Sequence, residues 1–374
     1  MPALLDTVDP DGLLEYSVVY TDRSVNHMSK LFQETMRGIS RIIKSVYHAE
    51  SAIIVPGSGT FGMEAIARQF ATGKQCLIIR NGLFSFRWSQ IFEVGRIPAS
   101  ETVLKARRLS DNTESPFAPV PIAEAVEAIQ KSKPDLVFAP HVETSSGMIL
   151  PDDYIKALAE AVHAQGGMLV LDCVASGAIW VDMAALGVDI LITAPQKGWS
   201  GPPCCAMVAL GKDARKRIEA TTSTSFACDL KKWLEIMEIY EQGKQAYHAT
   251  PPTDSLVALL KVMKEMEAFG FEEGRKAQQQ LGNKVRALLA SKGFRSVAAP
   301  GFEAPGVVVC YTSDPEIQSG RKFMDLGMQI APGVPIKCDE PADYRSFRIG
   351  LFGLDKLKDV ARTVKTLAGT LDKL

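Results

Sequence analysis

The chain lacks an excess of either charge. Its 42 lysines and arginines face 43 aspartates and glutamates, a formal net charge of −1. That balance leaves no electrostatic footprint for nucleic acid or an anionic membrane. No apolar run reaches the ~18 residues of a membrane span. The start, Met1-Pro-Ala-Leu-Leu-Asp6, has neither the basic stretch nor the apolar core of a secretory signal. The five histidines show no helical H-x-x-x-H spacing, and the seven cysteines make no C-x-x-C pair. Those absences argue against a metal centre, and the odd cysteine count fits a reduced, cytoplasmic protein. No internal repeat or low-complexity linker breaks the 374 residues, a length that accommodates about two domains.

What is present is an alternation of short apolar runs and helical patterns. A helix is expected over 24–48, where Met28, Leu31, Phe32, Met36, Ile39 and Ile43 recur at helical spacing. Apolar strands are expected at 51–55, 76–79, 135–140, 168–172 and 189–194, with helices at 61–71 and 151–165. The run Cys205–Leu210 follows too soon for a crossover helix, so it reads as antiparallel. This order implies an α/β fold with a mostly parallel sheet covered on both faces. A long helix over 255–269, a charged helix over 273–291 and short strands near 306–311 and 346–349 mark a change of pattern. The expected division is an N-terminal segment 1–23, a large domain 24–260 and a small C-terminal domain 261–374.

Two of the buried strands each end in one chemically able group. Met168-Leu-Val-Leu-Asp172 ends in a carboxylate, and Asp189-Ile-Leu-Ile-Thr-Ala194 runs through Pro195-Gln196 into Lys197. In an open α/β sheet the carboxyl edge is where ligands bind. A desolvated lysine has a lowered pKa and is nucleophilic. A partly buried aspartate needs a cationic or donor partner. Together they are the two protein groups that pyridoxal 5′-phosphate requires, one for its aldehyde and one for its ring nitrogen. Surface lysine and strand-end ion pair are the plain alternatives.

Gly57-Ser-Gly-Thr60 lies between a strand and a helix, where free N–H groups attract phosphate. The same stretch, extended to Gly62, also fits G-x-G-x-x-G, with Arg80 placed for an NADP phosphate. That dinucleotide reading leaves Asp172 and Lys197 without a role. Phe84, after Asn81-Gly82, is a candidate ring-stacking aromatic, with Trp88 as the weaker choice. Ser145, at a strand end, is placed to donate to a cofactor. Arg348, in a short apolar strand, calls for a carboxylate, and a substrate can supply one. Arg345 is its competitor, on the opposite strand face.

With these residues in view, the chain resembles the class V, fold-type I pyridoxal phosphate enzymes, and within them the alanine–glyoxylate and serine–glyoxylate (serine–pyruvate) aminotransferases. The resemblance spans roughly residues 30–365 and rests on Gly57-Ser-Gly-Thr60, Glu143-Thr-Ser-Ser-Gly147, Asp172-Cys-Val-Ala-Ser176, Gln196-Lys-Gly198, Tyr247-His-Ala-Thr250 and Phe347-Arg-Ile-Gly350. It implies a seven-stranded large domain and a smaller α+β domain. It also implies Lys197 as the Schiff-base lysine and Asp172 as partner of the ring nitrogen, with Val174 and Phe84 against the ring. Ser58, Gly59, Thr60 and Gln196 then bind the phosphate, and Ser145 lies near the 3′-hydroxyl. Tyr247 and Thr250 reach the partner's phosphate across a homodimer, and Arg348 holds the substrate carboxylate. The implied activity is transamination of alanine or serine with glyoxylate or pyruvate.

The chain departs from that family at Glu15–Arg23, which has no Pro-Gly-Pro-like turn, and at Thr60, where some relatives carry histidine. Related enzymes act on aminoethylphosphonate or ureidoglycine, so those donors stay open. A lyase or desulfurase using Cys338 as persulfide carrier stays open as well, as does a non-catalytic binding protein that keeps the fold.

Overall fold

The computed structural model describes residue 6 and residues 8–374; the remainder of the expected N-terminal segment lies outside the described residues. The first helix, α1 (Lys30–Tyr47), begins later than its apolar periodicity suggests. The Ser29 side chain caps it by accepting from the Phe32 N–H at 3.1 Å. Before it, the Asp254 carboxylate takes the Val25 N–H and the Asn26 side chain takes the Met28 N–H, so these residues form turns. Phe32, Met36, Ile39 and Ile43 form its buried face.

Seven strands build the main sheet: β1 (Ser51–Pro56), β2 (Gln75–Arg80), β3 (Ser100–Lys105), β4 (Leu136–Pro140), β5 (Met168–Asp172), β6 (Ile190–Thr193) and β7 (Cys205–Leu210). Their order is β1-β7-β6-β5-β4-β2-β3. Only β7 runs antiparallel, as its short connection from β6 requires; it pairs with β1 on one side and β6 on the other. The other pairings are parallel. The residues of β4 to β7 are all buried, because helices cover both faces.

The six strands β1 to β6 therefore deliver their carboxyl ends to one edge. From that edge spring α2 (Gly59–Ile66), which passes into a π turn over Ala67–Ala71, and α3 (Leu83–Gly95). Beyond the sheet, helices Thr253–Phe269 and Phe271–Ser291 lead to a second, antiparallel sheet. It contains β8 (Val307–Tyr311), β9 (Ala331–Pro332) and β10 (Ser346–Gly350), with β10 in the middle. No helix of the described residues is long and apolar enough to cross a membrane.

Candidate active site

The turn after β6 holds Lys197 half-buried. Its ammonium lies 5.2 Å from the centre of the Phe352 ring and has no ion-pair partner among the described residues. Burial and then the neighbouring Arg348 charge lower its pKa. Gly198 is forced by packing, since a Cβ there would overlap the Gly177 carbonyl. Two residues on, the Ser200 hydroxyl accepts the Leu354 N–H at 2.7 Å, tying the turn to the C-terminal segment. Gln196 is exposed on the other side of Lys197.

Asp172 closes β5 and is buried. One carboxylate oxygen accepts the Val174 N–H at 2.9 Å, and no cation pairs with it among the described residues. Burial pushes its pKa up to about 7; the nearby Glu143 charge adds to the rise, while the Val174 bond and Arg87 oppose it. Val174 stands over the phosphate-type turn: a Cβ on Gly59 would come within 3.1 Å of its side chain. At that turn Ser58 occupies the N-cap of α2 with its hydroxyl making no capping bond. The Thr60 hydroxyl accepts from the Arg87 guanidinium at 3.0 Å.

Phe84 sits in the first turn of α3. The helix starts at Gly82, where a Cβ would collide with the side chains of Ser145 and Glu143. Those two residues cap it from a distant part of the chain. Glu143, buried, accepts from the N–H groups of Phe84 at 3.2 Å, Ser85 at 2.8 Å and Ser145 at 3.1 Å. It also accepts from the hydroxyls of Ser85 at 2.8 Å and Ser145 at 2.7 Å. A carboxylate at a helix N-terminus is favoured by the free N–H groups and the helix dipole. The Ser145 hydroxyl is thereby engaged twice, as it also accepts the Leu83 N–H at 2.8 Å. Adjacent Thr144 is buried.

Arg348 faces the same ring. Its guanidinium carbon lies 5.8 Å from the Phe84 ring centre, and that of Arg87 lies 5.2 Å from it. The Arg348 Nε donates to the Pro332 carbonyl at 2.8 Å, and no acid pairs with its fork among the described residues. Burial lowers its pKa and the Glu143 charge opposes that. Arg345 instead lies exposed outside β10, donating to the Ser313 carbonyl. Trp88 is fully buried against Phe138 and belongs to the core.

Within one chain, Tyr247 and Thr250 bond each other at 2.8 Å. The Tyr247 ring packs at 5.4 Å on His27, which in turn packs on Tyr20. Both Tyr247 and Thr250 are exposed. Sequence reasoning missed Arg87, Glu143 and Phe352. The i, i+3 spacing of Phe84 and Arg87 was the available signal for the first, and an acid inside the buried His-Val-Glu run for the second.

Two alternatives lose their footing. A dinucleotide turn joins neighbouring parallel strands, whereas β7, β6, β5 and β4 separate β1 from β2 here. Arg80 is therefore remote from the Gly57 turn. Cys338 is buried against the Arg80 carbonyl, and burial pushes its thiol up to about 12. A protonated, enclosed thiol is a poor persulfide carrier.

A buried carboxylate and a desolvated lysine, neither with an ion-pair partner among the described residues, a helix N-terminus facing hydroxyls and two guanidinium groups likewise without an acid partner thus meet at one sheet edge. Residues 13–331 match the model of the aminotransferase class-V family, and the chain belongs to that family. It is 25% identical to a soluble hydrogenase small subunit of Synechococcus sp. over 94% of this chain and 88% of the relative. It is also 25% identical to alanine–glyoxylate aminotransferase of Callithrix jacchus over 90% and 79%. With 2-aminoethylphosphonate–pyruvate transaminase of Vibrio vulnificus the figures are 27%, 86% and 83%. Among solved structures, an alanine–glyoxylate aminotransferase from Nostoc sp. superposes with a TM-score of 0.77 at 21% identity, covering 93% of this chain and 89% of that one. The protein is a fold-type I, pyridoxal phosphate-dependent aminotransferase. The residues fit that cofactor: unpaired Asp172 lacks the cation that a ring nitrogen supplies, and Lys197 lacks any competing acid.

Proposed function

We propose that the protein transfers the amino group of a small amino acid, of the alanine or serine type, to a 2-oxo acid such as glyoxylate or pyruvate. The observation that carries this reading is Arg348: a half-buried guanidinium without an acid partner, beside Lys197 and over Phe84. A planar fork in that state suits a substrate α-carboxylate.

In this reading the bound cofactor supplies a ring that accepts electrons from the substrate's α-carbon. Asp172 would hold a proton at the ring nitrogen, and Val174 and Phe84 would hold the ring by apolar contact. The Lys197 Nζ, its pKa lowered by desolvation so that the neutral amine is populated, would take the proton from the α-carbon and later return one. Ser58, Gly59, Thr60 and Gln196 hold the phosphate, joined by Tyr247 and Thr250 of a second copy in a homodimer. Ser145, whose hydroxyl donates to Glu143 and accepts the Leu83 N–H, keeps one lone pair with which it would meet the cofactor's 3′-hydroxyl. The large domain 24–260 carries the cofactor, and the small domain 261–374 brings Arg348. Of the expected N-terminal segment, residues 8–23 border the pocket, and the enzyme works in the cytoplasm.

The test is a half-reaction screen. Alanine, serine, aminoethylphosphonate and ureidoglycine are each added alone to the purified holoenzyme while the cofactor's visible absorption is followed, and glyoxylate or pyruvate is added next. Alanine or serine should bleach the band and the 2-oxo acid restore it. Bleaching by aminoethylphosphonate or ureidoglycine alone would overturn the substrate assignment.

A further inference from the structure

Arg87 stands one helical turn after Phe84 on α3, so the two side chains share a face. Its guanidinium is half-buried and makes a 3.0 Å hydrogen bond to the Thr60 hydroxyl, in the first turn of α2. Its other close neighbour is the Phe84 ring. Several arginines of the chain are matched with acids, Arg41 with Glu267, Arg68 with Glu64, Arg107 with Glu124 and Arg215 with Glu219 and Glu238, and half-buried Arg286 is matched with the backbone carbonyls of Gly282 and Ala304. Arg87 has no such partner among the described residues. Its one hydrogen bond is to a neutral hydroxyl, and the Asp172 carboxylate acts on it without a direct contact, so the partly desolvated guanidinium is poorly compensated.

The missing partner must be an anion that reaches Thr60, the Arg87 fork and the N-terminus of α2 together. Free N–H groups at such a terminus and a planar guanidinium are both matched to a phosphate monoester, the second by paired, charge-assisted hydrogen bonds. Lys197 and Arg348 flank other parts of the site. We propose that Arg87 is a further ligand of the cofactor's phosphate, completing a subsite otherwise built from neutral groups. The Thr60 bond holds the fork ready for it, which lowers the ordering cost on binding. This inference rests on the pyridoxal phosphate assignment.

Cofactor-free wild type, Arg87→Gln and Arg87→Lys are titrated with pyridoxal 5′-phosphate, with pyridoxal, and with inorganic phosphate as a thermal-shift ligand. Wild-type binding of pyridoxal 5′-phosphate tests the underlying assignment separately. Arg87→Gln should weaken pyridoxal 5′-phosphate by about tenfold to a hundredfold, the worth of a charged hydrogen bond. Pyridoxal affinity should stay within about twofold, as expected for a contact made to phosphate alone. Stabilisation by inorganic phosphate should disappear. Arg87→Lys should fall between, keeping charge without the fork and guarding against a folding defect in the glutamine variant. Equal weakening of both vitamers would mean that Arg87 only positions Phe84 and would overturn the proposal. So would unchanged cofactor affinity with a raised KM for acidic substrates, which would place the anion on the substrate.

Discussion

Replacing Asp172 by Asn should make the empty protein more stable and the loaded protein less secure. Asn keeps the shape and the 2.9 Å acceptor for the Val174 N–H, and removes only the charge. In the folded, cofactor-free chain, burial raises the Asp172 carboxyl from an ordinary 3.8 to about 7. Between those values the folded state holds a proton that the unfolded state has released. Stability is therefore fully present below pH ~4 and is lost as pH rises towards 7. A shift of that size corresponds to about 4 kcal/mol. The assay is urea denaturation of cofactor-free wild type and Asp172→Asn between pH 4 and 8. The difference between the two should swing by about that amount in favour of the variant. Titration with pyridoxal 5′-phosphate should show the opposite order, because the variant has no charge to offer a ring cation. Parallel stability curves across the window would refute the reasoning, since they would mean that Asp172 finds a partner in the empty protein.

Arg348→Lys should raise the KM for amino and oxo acids while leaving cofactor absorption nearly unchanged; separate measurement of each half-reaction checks this, and unchanged rates in both would remove Arg348 from the site. Lys197→Ala and a Tyr247/Thr250 double variant should each be inactive. Mixed under verified subunit exchange, they should recover part of the activity, since one site of the hybrid is intact; exchange without recovery counts against shared sites. Glu143→Gln leaves the Ser85 N–H facing an amide donor, a loss of about 1–3 kcal/mol in urea denaturation. Wild-type stability in that variant would mean that the α3 cap does not depend on the carboxylate.

Lys197 and Asp172 were legible because an apolar strand that stops at a charge carries its own signal. The antiparallel return of Cys205–Leu210 was legible from connection length. The start of α3 was not. Its N-cap, Gly82, has no side chain, and the groups that cap it come from Glu143 and Ser145, about sixty residues away. Without α3, Arg87 had no face to share with Phe84. β3 escaped notice for another reason: Ser-Glu-Thr-Val-Leu-Lys lies at the sheet edge, exposed or half-buried throughout, so it lacks an apolar run.

The bond between Ser200 and Leu354 has a mechanical consequence. The turn that carries the reactive amine is fastened to the segment that follows the strand of Arg348, and Phe352 of that segment lies beside the amine itself. Any rotation of the C-terminal sheet that moves Arg348 onto a carboxylate pulls on a strap whose other end is three residues from Lys197. In the proposed reading, substrate capture by Arg348 and proton transfer by Lys197 are geared together through the backbone, and the loss of one hydroxyl at Ser200 would let them slip out of step.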